Sequence, residues 1–361
     1  MVTRFCWAGA PSREEEQPIR HILIAGLIHH DSWARWLIAA AMVVIADTAQ
    51  AHGIVGNRVF PSTLAFDEPA VVDELTLPAF SRLRHPSEGT DVMDDRIGWS
   101  FTRLLTSTLA FGIESGWIHR NWGPSQRSGF DTTALELKGL LYKNELHEVM
   151  ISADLAWGVG GSGAQGIGAS NPNTLLPGIF FGKGFGDLPN SVSWLRPFAI
   201  TGAVTFEHSM TGTSTNLGID PQTGQLGPMA TRNVDIVHWG FSIQYSTYYL
   251  TNRFTPGKLP KDEPLHQFIP LVEFAFDTPR REKTAVTVNP GLAYVADTWQ
   301  VAAEAIIPLN SDGGRTIGVR VHLFLFLDAL MPAVFGKPLF DAELPPPSSG
   351  PDSCFSGSVR C

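Results

Sequence analysis

Cysteine is nearly absent, charge is sparse, and no long apolar run follows residue 60; each shortage removes a class of protein. The three cysteines, Cys6, Cys354 and Cys361, all lie near the two ends, so the middle of the chain holds no disulfide framework and no cysteine metal site. The two near the end could close a small disulfide loop in an oxidising compartment or stay as free thiols. Charged residues make up 17% and the net charge is −9; without a basic patch, nucleic-acid binding is set aside. Past residue 60 no stretch of about 18 to 20 apolar residues occurs, which excludes a bilayer-spanning helix there.

What is present is glycine (35), proline (26) and phenylalanine (22), the mixture expected of many strands and turns. Near the start, Trp33-Ala34-Arg35-Trp36 is followed by the apolar run 37–46 and by Ala49-Gln50-Ala51. One positive charge, a short greasy core and a small-x-small site read as a secretory signal cleaved near Ala51, and the apolar run is too short to anchor in hydrocarbon. The acidic preamble before it, with Arg13-Glu14-Glu15-Glu16, is given no structural role and suggests a misplaced start site.

From residue 70 onward, apolar residues alternate with small or polar ones. Phe111, Ile113 and Trp117 interleave with Gly112, Glu114 and Gly116; Ile151, Ala153, Leu155 and Trp157 interleave with Ser152, Asp154 and Ala156. Side chains two apart share a face of a strand, so each segment has one greasy face. Soluble sandwiches alternate too, but these segments run about 10 to 14 residues, as a tilted membrane strand needs and a soluble strand seldom does. Trp99, Trp117, Trp157, Trp194, Trp239, Tyr249, Tyr294 and Trp299 fall near segment ends, where interfacial girdles belong.

Connections alternate between long polar loops (121–129, 160–173, 209–233, 280–283, 310–314) and turns (near Thr106, 144–145, 186–193, 251–265, 297–298). Ten connections join eleven strands. A twelfth, 74–83, with 84–94 as an outer loop, restores the even number of a chain inserted from the periplasm. The expected fold is therefore all-β, a single antiparallel transmembrane barrel of about 12 strands. The expected boundaries are 1–51 for extension and signal, 52–72 for a periplasmic arm or lumen plug, and 73–328 for the barrel. A C-terminal extension, 329–361, is expected to be disordered from about 345. The apolar residues of 52–72 (Ile54, Val55, Val59, Phe60, Leu64, Phe66) need cover from water, which favours the plug.

Several segments also resemble a known group: 73–78, 182–189, 194–202, 304–310 and 336–340. Together they are similar to poorly characterised proteobacterial outer-membrane barrels labelled as transporters, and more distantly to barrels associated with phenol-degradation gene clusters. The resemblance spans roughly 52–340. It implies an outer-membrane location and a barrel, with no settled substrate and no catalytic motif. The chain departs from the group in its preamble and in the tail after Phe340.

Ionisable residues recur on the side opposite the greasy one: Glu114, Glu136, Lys138, Asp154, Glu207, Glu273, Glu304, Arg320 and His322. A carboxylate facing lipid at mid-depth is costly, so all are placed in the lumen. They would bias a conduit towards cations, or simply fill the interior with ion pairs. No catalytic, cofactor or metal site is expected. Glu207-His208-Ser209 cannot converge from one strand, and the glycine-rich 158–163 lacks the Lys-Ser/Thr and helix of a phosphate loop. His119, His147 and His238 have no second ligand at useful spacing. The leading expectation is movement of a small solute. Its rivals are a membrane-embedded lipid-modifying enzyme, which would need a Ser–His pair on one lipid-facing side of neighbouring strands, and a non-conducting barrel whose 209–233 loop binds partners. Expected partners are outer-membrane lipid and lipopolysaccharide, and the barrel-assembly machinery during biogenesis.

Overall fold

The computed structural model describes residues 53–340, apart from 88–89, 124, 170–171, 220–222, 224 and 252–266. The signal, the preamble, the three cysteines, the tail from 345 and most of the 251–265 turn lie outside the described residues.

Two tiny strands, β1 (Ile54–Val55) and β2 (Arg58–Val59), pair in the segment before the barrel. Then come β3 (Glu74–Ser87), β4 (Thr90–Thr106), β5 (Leu109–Asn121), β6 (Gln126–Phe130), β7 (Ala134–Asn144) and β8 (Val149–Gly158). They are followed by β9 (Thr174–Gly184), β10 (Phe198–Ser209), β11 (Thr213–Ile219), β12 (Leu226–Arg232) and β13 (Ile236–Tyr245). Last are β14 (Gln267–Pro279), β15 (Ala285–Val295), β16 (Trp299–Pro308) and β17 (Gly318–Phe326). Each of twelve long strands pairs antiparallel with its successor, and β17 returns to β3, so the sheet closes without a free edge. β6 lies on the outer end of β5, and β11 with β12 forms a separate hairpin.

The wall sorts its side chains by parity. One outward row crosses the barrel as Ala153, Ile179, Val204, Trp239 and Phe276, the last two rings stacked at 3.9 Å. Ile179 is 57% exposed and Val204 52%, whereas inward Glu273 is 0% and Glu304 3% exposed. Greasy residues outside and acids inside invert a water-soluble protein; this is the arrangement of a transmembrane barrel.

Several sequence expectations are corrected. Residues 84–87 and 90–94 are not a loop: β3 and β4 run through them, paired as far as Ser87 with Thr90. Residues 121–129 and 209–233 are likewise partly strand, as β6 and the β11–β12 hairpin. Tyr249 is no girdle residue, because its hydroxyl donates to Glu148 and its ring lies 4.1 Å beneath the Arg58 guanidinium. Trp99 sits in mid-strand rather than at an end.

Candidate functional site: the barrel lumen

Residues 53–72 enter from the end carrying the short turns, reach mid-barrel at Phe66 and return to Asp73. The anchor at the turn end is Arg58, 1% exposed. Its Nε donates to Glu148 at 3.2 Å, and its fork donates to the carbonyls of Arg196 and Pro197 at 2.5 and 3.0 Å. Above it, greasy residues pack in two groups. Ile54 and Val59 meet Ile269, Leu271, Val295 and Phe324; Val55, Phe60 and Val72 meet Met150 and Ala199. Two inward glycines make room for the rings. A Cβ on Gly182 would lie 3.1 Å from the Phe60 ring, and one on Gly240 would lie 2.8 Å from that of Phe66.

Further along the segment the contacts become polar. Gln300 exchanges two hydrogen bonds with the Ser62 backbone, at 3.1 and 2.9 Å. The Glu273 carboxylate accepts the amides of Leu64 and Ala65 at 3.1 and 2.7 Å. Lys138 donates to Asp67 and to the Glu68 carbonyl. Burial, helped by the neighbouring Asp67 charge and opposed by Lys138, pushes the Glu68 carboxyl up to about 8. The Ser62 hydroxyl donates to this carboxyl at 3.1 Å and works against that rise.

Towards the long loops the lumen opens into a cavity of about 490 Å³, floored by 62–68 and lined by Glu74, Glu114, Glu136, Asp154 and His322. A second hollow of about 410 Å³ shares Glu114, Ala134 and Leu176 with the first and adds Arg96, Asp131 and Glu207. The two make one vestibule. Its upper wall is cross-strand: Glu207 accepts from His238 Nε2 at 2.9 Å, and Asp277 from Nδ1 at 2.6 Å.

The nine ionisable residues named for the lumen have inward parity, but stand in three different situations. Glu114, Glu136, Asp154, Glu207 and His322 border the vestibule. Lys138 and Glu273 hold the inserted segment. Glu304 and Arg320 pair with each other at 2.5 Å, as filling. Sequence reasoning missed His238 and Asp277, which obey the same parity, and Arg96 with Asp131, whose ion pair spans 2.8 Å. It also missed the segment's own acids, Asp67 and Glu68. Among the described residues no group of three or more His, Cys, Asp or Glu is placed to hold a metal.

Outside the wall, His119 Nδ1 and Ser128 Oγ are 2.8 Å apart on β5 and β6. Both share the outward parity of Trp117 and Phe130, whose rings meet edge-on at 5.0 Å just below. Among the described residues no carboxylate is hydrogen-bonded to the other nitrogen of that ring, so this is a pair and not a triad.

The fold and lumen define a class: a closed twelve-stranded transmembrane barrel with an inserted N-terminal segment. No protein-family model and no curated protein matches the chain. Solved barrels do. An outer membrane channel from Pseudomonas putida is 10% identical, with 74% of this chain and 99% of that one covered at a TM-score of 0.45. The KdgM porin is 12% identical, covering 68% and 98% at 0.36. The beta domain of the Bordetella autotransporter BrkA is 9% identical, covering 71% and 99% at 0.40. At such values the likeness is of barrel to barrel.

Proposed function

We propose that this chain is an outer-membrane barrel that admits a small solute from its long-loop end, favouring cations and neutral molecules. The observation that carries this is the vestibule: a polar hollow inside a lipid-facing wall, with Glu114, Glu136 and Asp154 on one side and Glu207 and Asp277 on the other. Acidic linings lower the energy of a cation and raise that of an anion. The inserted segment fills the turn-end half, so passage requires that segment to shift. Lipopolysaccharide around the outer rim and the barrel-assembly machinery during biogenesis belong to the same proposal.

Planar-bilayer recording and liposome uptake with refolded protein test it. Expected is a small cation-selective current whose reversal potential moves towards zero in Glu114→Gln/Asp154→Asn. Absence of both current and uptake rejects transport.

The second reading, a lipid-modifying enzyme, has one observation in its favour, the His119–Ser128 contact at the level of the outer girdle. Labelling of the protein by a fluorophosphonate, abolished in Ser128→Ala, would support it; an unlabelled protein removes it.

A further inference from the structure

β3 begins at Glu74, opposite Thr102 of β4. The last residues of β4 therefore project beyond their partner and would leave backbone groups unpaired on that side. Two devices satisfy them. Asp73, wholly buried, accepts the Leu104 amide at 2.6 Å and the Arg103 guanidinium at 2.5 Å. The chain after β17 then turns back along the outside of the barrel, where Leu339 and Phe340 donate their amides to the carbonyls of Leu104 and Leu105 at 3.1 and 2.8 Å. Between these points the Gly336 amide donates to Asp73, and Arg103 donates to the carbonyls of Val334 and Lys337. The Phe335 ring meets Phe101 edge-on at 6.2 Å, and Phe101 belongs to the outward row of the wall, between Leu75 and Ile113.

A strap held this firmly on the outer surface would be expected to turn its greasy side chains inward. It turns them out instead: Met331, Val334, Leu339 and Phe340 are 42%, 62%, 56% and 64% exposed. Through Phe335 and Phe101 this patch is continuous with the lipid-facing wall, and exposed Lys337 stands among these residues, a cation on a flexible stem. The geometry points to the strap 331–340 as a lipid-seated element: its apolar side chains lie at the acyl–headgroup boundary of the leaflet at the turn end, with Lys337 reaching phospholipid phosphate. Apolar side chains beside a basic residue are what such interfacial segments present. The occupant is membrane phospholipid. The inference rests on the reading of the wall as lipid-embedded, and its test separates the two.

The full chain, with Cys6, Cys354 and Cys361 changed to Ser, is refolded into phosphatidylcholine liposomes. An environment-sensitive fluorophore is attached at Val334→Cys, at the wall position Val204→Cys, or at Gly212→Cys in the loop beyond β10. Phospholipids brominated high on the acyl chain should quench the label at 334, those brominated near the methyl end should quench that at 204, and both should leave that at 212 bright. Aqueous iodide should do the reverse. If iodide quenches at 334 as strongly as at 212 while lipid still quenches at 204, the strap inference is overturned and the barrel reading stands. If lipid quenches at neither 334 nor 204, both fall. A repeat at Met331→Cys guards against a local effect of the label and should follow 334.

Discussion

At the scale of single residues, the inserted segment is held by a few buried charges whose loss is costly. Arg58 is nearly inaccessible, its guanidinium divided between Glu148 and main-chain carbonyls. Removing it leaves Glu148, whose carboxyl burial already raises while Arg58 pulls it down, in a dry site without its cation. Arg58→Ala is expected to cost about 3 to 5 kcal/mol, as when one partner of a buried pair is deleted. Thermal unfolding in detergent should show the loss, and a protease should gain access to 53–72 before the barrel melts. Glu68 sets the pH response of the same segment. Its seated carboxyl is raised from the ordinary 4.5 to about 8. Because the seated state binds the proton more tightly than the free one, its stabilisation is complete below pH 4.5 and is lost as pH rises through 8. The charges facing it are Asp67, Lys138 and Glu74. Protease access to the segment should therefore increase from pH 5 to pH 9, and Glu68→Gln should flatten that profile; an unchanged slope would assign the response to another group.

At the scale of elements, the alternation within strands decides where a charge is tolerated. Val204 points to lipid and Thr205, its neighbour on β10, to the vestibule. Val204→Arg should cost about 2 to 4 kcal/mol near mid-depth, read as a lower yield of folded barrel in refolding titrations, whereas Thr205→Arg should fold and reduce cation current. Equal effects at the two positions would contradict the assigned faces. The same alternation explains what the sequence made readable. Between Thr106 and Phe326 the wall strands and most turns follow from it, though β6 and the β11–β12 hairpin do not, because lipid on one side and a polar lumen on the other impose opposite chemistry on successive residues only within the wall. Above the membrane that constraint disappears. Residues 84–94 carry Arg84, His85, Asp91 and Asp94 on strands with water available to both faces, so an extended hairpin reads as a loop. Tyr249 was misplaced for a related reason: an aromatic near a segment end can face the interface or the lumen, and only its partner, Arg58, decides.

For the whole molecule, the interior has two storeys, and only one was visible from the strands. The acids of the vestibule follow from parity. The filling of the turn-end half depends on contacts between residues far apart in the chain, such as Lys138 with Asp67 and Gln300 with Ser62, which no local pattern encodes. The apolar residues of 53–72 showed that cover was needed and favoured the lumen, but not which wall residues supply it. This division has a consequence for conduction. The vestibule sets which ions gather, while the inserted segment sets how many pass. Deleting 53–72, or prying it out with Gly240→Leu against the Phe66 ring, should raise single-channel conductance several-fold and leave the sign of the reversal potential unchanged. The deletion also exposes inward greasy residues such as Ile269 and Phe324, so some loss of stability should accompany the gain. Gly240→Leu keeps the segment attached, though its Cβ would also meet the Phe274 carbonyl at 2.7 Å and lower the unfolding temperature; higher conductance in both variants identifies the segment as the resistance in the path. Unchanged conductance in both variants would place the barrier elsewhere in the barrel.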